Sequence, residues 1–72
     1  MDPKEIFELI IKADEKLKYA TSAKGDVRAA QARALLEEAR DAARAIDNAG
    51  LIAQAETRLT DLEALSKSEP SG

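Results

Sequence analysis

The chain has no histidine, no cysteine and no tryptophan, and its aromatic residues are one phenylalanine and one tyrosine. Each absence removes a class of chemistry. Without cysteine there is no disulfide framework and no thiolate-bound metal. Without histidine, acid–base catalysis near neutral pH falls to a carboxylate or a lysine with a strongly displaced pKa. The carboxylates and lysines of this chain fall on the polar arcs of amphipathic segments. Glu37 and Glu38 are adjacent, but successive helical residues point about 100° apart and do not converge on one substrate. Serine and threonine have no obvious base to activate them. There is no glycine-rich loop after a strand, no Walker pattern and no calcium-loop spacing. No catalytic residue, metal or cofactor is therefore expected.

Long apolar runs are missing too. None approaches the roughly 20 residues that span a bilayer, and the N-terminal Met-Asp-Pro-Lys-Glu is polar where a signal peptide is apolar. A soluble, cytoplasmic protein is the expectation. Eleven lysines and arginines stand against fourteen aspartates and glutamates, a formal net charge of −3. Nucleic-acid binding needs a clustered positive excess, so nucleic acid is not the expected partner.

What the chain does have is alanine at helical spacing. Apolar residues make up 44% of the sequence, and 15 of these 32 are alanine. Alanine lets helices approach closely but buries a single methyl group, so the core is thin for its apolar count. A chain of this length forms one domain at most. The thin core implies marginal stability, or stabilisation by a second copy or a partner.

Three helices are predicted, over about residues 3–22, 27–47 and 49–66. The first starts with Asp2 as N-cap, Pro3 at the first helical position and Glu5 in the capping-box position. Ile6, Leu9, Ile10, Ala13, Leu17 and Ala20 then form one apolar stripe. Phe7 and Ile11 lie to one side of it, roughly a quarter to a third of a turn away. Thr21–Asp26 break the pattern, with Gly25 suited to a left-handed backbone and Asp26 to capping the next helix.

Helix two is expected to bury Ala32, Leu35, Leu36, Ala39, Ala42, Ala43 and Ile46, with Val27 near its start. Arg33, Glu37, Arg40, Asp41 and Arg44 gather on the other side, where Glu37–Arg40 or Asp41–Arg44 pairs could form at a spacing of three. In Asp47-Asn48-Ala49-Gly50, Asn48 either ends helix two in a left-handed conformation or caps helix three. Helix three presents Leu51, Ile52, Ala55, Leu59, Leu62 and Leu65 to the core. The polar residues 67–72 are expected to be a disordered tail after a domain spanning 1–66. No segment alternates with a period of two, so the fold expected is an all-α, up-down-up antiparallel three-helix bundle.

Leu17, Gly25-Asp26, Ala30 and Ala34 fall at spacings that resemble one tetratricopeptide-type helical hairpin, over about a quarter of the chain. Asp14, Thr21 and Glu37 depart from that pattern, and no proline stands near Ala42. The resemblance implies a helical hairpin with a packing third helix, and by extension protein binding. A lone repeat lacks the stacked neighbours that build the family's peptide groove.

Function is accordingly sought on the surface. A non-enzymatic protein-interaction or structural module is expected, acting on another protein or on itself as a homodimer. Phe7, Ile11 and Tyr19 are the candidate contact residues, because large aromatic and apolar anchors carry binding energy. Tyr19 lies away from the stripe of its own helix. All six lysines occupy positions 4–24 and 67, while the five arginines lie between 28 and 58. That segregation reflects either helix preference or a face, Arg33, Arg40 and Arg44, that recognises carboxylates or phosphates. The second use would make the chain a nucleic-acid-associated regulator.

Overall fold

The computed structural model describes residues 1–18 and 25–67. It contains three helices, α1 (Pro3–Lys18), α2 (Gly25–Ala45) and α3 (Ala49–Lys67), and no strand among the described residues. They pack as an all-α three-helix bundle. Helix α2 is the shared wall: α1 and α3 each lie along it, while α1 and α3 touch each other least. Ala20, the 21–24 connection, the side chains of Asp26 and Leu65 and the residues after 67 lie outside the described residues.

The start of α1 follows from its capping box. The Glu5 backbone N–H donates to Asp2 Oδ1 at 2.9 Å, and the Asp2 N–H donates back to Glu5 Oε1 at 3.3 Å. Two N–H groups that the first turn leaves without helical partners are thereby satisfied. Helix α2 begins at Gly25, so Asp26 stands inside its first turn rather than before it.

The α2–α3 junction is a tight reversal in which one residue bends and the next caps. The Asn48 N–H reaches back to the Ala43 carbonyl at 2.9 Å, and the Asp47 N–H to the Arg44 carbonyl at 3.1 Å. These two bonds make a Schellman ending, and its left-handed position is Asp47, at φ 55°. Asn48 does not take that conformation. Its Oδ1 accepts from the Leu51 N–H at 3.1 Å and its carbonyl from the Ile52 N–H at 3.0 Å, so it is the N-cap of α3. Removing that acceptor in Asn48→Ala should cost about 1 kcal/mol. Asp47→Gly should raise stability by about 0.5–1 kcal/mol, because the left-handed backbone is free of strain only for glycine. Thermal melts followed by circular dichroism would show the two shifts with opposite signs.

The core is Ile6, Ile10 and Ala13 from α1, Ala32, Leu36, Ala39 and Ala43 from α2, and Leu51, Ala55, Leu59 and Leu62 from α3. Leu9, Leu17, Ala29, Leu35, Ala42 and Ile52 are half-buried against it. Two expected core positions of α2 are exposed instead. Val27 sits in the first turn, where the neighbouring helix leaves it uncovered, and Ile46 falls one residue beyond the helix, where the Schellman turn carries it out of the apolar arc. The packed pair of helices expected from the tetratricopeptide resemblance is present in α1 and α2, its connection lying outside the described residues, but Ala30 and Ala34 are exposed, so the helix seam is made by other small residues: Ala32, Ala39 and Ala43.

Candidate interaction surface

Phe7 and Ile11 are both exposed on α1, at 44% and 39%. Four residues apart on a helix, they are neighbours on one face. Ile6 and Ile10 immediately precede them in sequence and are fully buried, about 100° around the axis. The local sequence Ile-Phe-Glu-Leu-Ile-Ile therefore supplies two apolar edges, and the bundle covers one of them. Tyr19, the third candidate, lies outside the described residues.

Among the described residues, the same helix carries the one ion pair that ties α1 to α3. Arg58 Nε donates to Asp14 Oδ1 at 2.8 Å, and its Nη1 donates to the Gln54 carbonyl at 3.2 Å. Asp14 is thus committed to the bundle. The two residues are 44 positions apart, and helical spacing holds no hint of their contact.

Arg33, Arg40 and Arg44 recur at spacings of seven and four, which places them on one side of α2. That side is the shoulder facing α3 rather than the far surface. Arg33 is half-buried, and the Arg40 side chain is 28% exposed. Arg44 Nη2 reaches Glu56 Oε2 of α3 at 2.8 Å, and Arg40 Nε reaches Asp41 Oδ1 at 3.2 Å. The partners are thus not those expected at a spacing of three: Arg44 prefers a carboxylate across the α2–α3 seam, where the two helices bring their charges together. Phosphate recognition on this face would have to compete with both acids.

Other surface features are slighter. Met1, Val27 and Ile46 are exposed apolar residues on separate segments. A shallow depression is lined by Lys16, Val27, Arg28 and Gln31. Among the described residues no polar or charged side chain is buried, and no group of three acidic residues is placed to hold a metal ion. No described helix is long and apolar enough to cross a membrane.

No protein-family model, curated protein or solved structure matches this chain.

Proposed function

We propose that this chain is a small non-enzymatic protein-interaction or structural module that works through the outer apolar edge of α1. The observation that carries the proposal is the exposure of Phe7 and Ile11 side by side on a helix whose neighbouring isoleucines are fully buried. The only phenylalanine of a thin-cored chain stands in water, where a contribution to stability would have required it inside. Aromatic side chains at the centre of a contact surface typically carry a large share of its binding energy. Two of the three arginines on the alternative face already meet carboxylates, which favours the apolar edge over a basic one.

Phe7→Ser combined with Ile11→Ser tests the proposal. Both positions are exposed, so the fold should survive with its helical signal intact, while association with any protein, or of the chain with itself, should be lost. Chemical cross-linking in cells followed by mass comparison of wild type and double variant reads the outcome. An unchanged pattern of cross-linked species would remove the basis for this surface.

A further inference from the structure

The apolar pair on α1 is framed by charge in a way that specifies what can cover it. At about 100° per residue, Lys4, Phe7, Ile11, Glu15 and Lys18 fall within about 80° of arc on α1. All five are exposed. Along the helix the order is cation, apolar, apolar, anion, cation. Among the described residues no ion pair engages Lys4 or Glu15, whereas Asp14, beside Glu15, is held by Arg58.

Such a face is complementary to itself in one direction. When two copies of α1 lie antiparallel about a twofold axis near residue 9, Phe7 of each copy meets Ile11 of the other. The same axis brings Lys4 of each copy level with Glu15 of the other, because the residue sums, 18 and 19, nearly coincide. All four contacts fall on the same shared strip, and Lys18 stands level with residue 1 of the second copy, outside it. The parallel arrangement would set Lys4 against Lys4 and Glu15 against Glu15. Antiparallel pairing also opposes the two helix dipoles.

From this juxtaposition we infer that the occupant of the α1 edge is a second copy of this chain, packed antiparallel through reciprocal Phe7–Ile11 and Lys4–Glu15 contacts. The inference rests on the reading of the α1 edge as an interaction surface and adds both its partner and its register. Two apolar side chains per copy fall well short of the roughly 800 Å² per partner of a standard interface. The dimer is accordingly weak and forms with a dissociation constant on the order of 10–100 μM.

Charge reversal tests the register. Lys4→Glu places two glutamates opposite two glutamates in the antiparallel dimer, and Glu15→Lys places two lysines opposite two lysines. Each variant alone should dimerise about tenfold more weakly than the wild type in sedimentation equilibrium. Mixed in equal amounts, the two variants form a heterodimer in which both positions hold opposite charges again, one pair in the wild-type sense and the other with its signs exchanged, and association should return to near the wild-type value. Both substitutions suit the helix dipole, an acid near the N-terminus and a base near the C-terminus, so α1 should persist by circular dichroism.

A chain that stays monomeric up to about 1 mM overturns the inference, as does a mixture that associates no better than its components. If Phe7→Ser/Ile11→Ser abolishes a dimer that the charge variants leave unchanged, the register is wrong while the apolar edge stands. If that double variant leaves the dimer intact, the edge itself is not the contact.

Discussion

Leu36→Ala should destabilise the protein by about 2–5 kcal/mol. Leu36 is fully buried and sits on α2, the helix against which both others pack. It shares the core with Ile6 and Ile10 of α1 and Leu59 of α3. Its core neighbours on α2, Ala32, Ala39 and Ala43, have no side-chain torsion that could swing into the space a leucine leaves. The cavity therefore stays open, and the cost lies toward the upper part of the range. A domain of this size has total stability of only about 4–11 kcal/mol, so the variant is expected to lose at least about 10 °C in melting temperature or to be largely unfolded. Ile46→Ala, an equally large truncation at an exposed position outside α2, should cost less than about 1 kcal/mol. Similar losses at the two positions, read from paired chemical-denaturation curves, would mean that the core is not organised around α2.

The contrast between those two residues also shows how far the fold can be read from the sequence. Helical periodicity placed Ile6, Ile10 and Ala13 of α1, Ala32, Leu36, Ala39 and Ala43 of α2, and Leu51, Ala55, Leu59 and Leu62 of α3 in the core because each stripe is a local property of spacing, and the Asp2–Glu5 box is local in the same way. Ile46 continues the period of α2 and is nonetheless outside the core. The spacing is right, but the Schellman bonds from Asp47 and Asn48 end the helix first. The sequence signal for that ending is divided between two residues: asparagine suits both a left-handed position and a cap, and the structure gives Asn48 the cap and Asp47 the left-handed backbone. Ion pairing was the least legible. Arg44 has an acid three residues before it at Asp41, yet its partner is Glu56 on the next helix. The Asp14–Arg58 contact spans the first and third helices and depends on how they cross. For the surface, periodicity identified Phe7 and Ile11 as flanking the stripe, but it could not tell whether α2 or α3 would cover them. That depends on where the third helix lies.

Ala39→Leu should be as informative as the loss of Leu36, and in the opposite chemical direction. The substitution adds apolar surface and retains high helix propensity, so on transfer and propensity grounds alone it would be neutral or stabilising. Packing decides otherwise. Ala39 is fully buried, and with Ala32 and Ala43 it forms the small-residue seam of α2. Helix axes separated by alanine contacts lie near the close end of the usual 8–10 Å range. Three added carbon atoms must either adopt a strained rotamer or drive a neighbouring helix outward, which uncovers part of Ile10 or Leu59. A loss of about 1–3 kcal/mol is expected. Ala34→Leu provides the control, since Ala34 is exposed on the same helix and should change stability by less than about 0.5 kcal/mol. Denaturant titrations of the two variants separate the possibilities. If Ala39→Leu stabilises the protein, the seam contains unused space, and the scarcity of large residues, rather than close approach, limits this core. If it destabilises while Leu36→Ala does as well, then volume at the α2 seam is matched from both sides. The bundle would then have no room to take Phe7 inside, which is the physical reason for a phenylalanine to remain on the outer edge of α1.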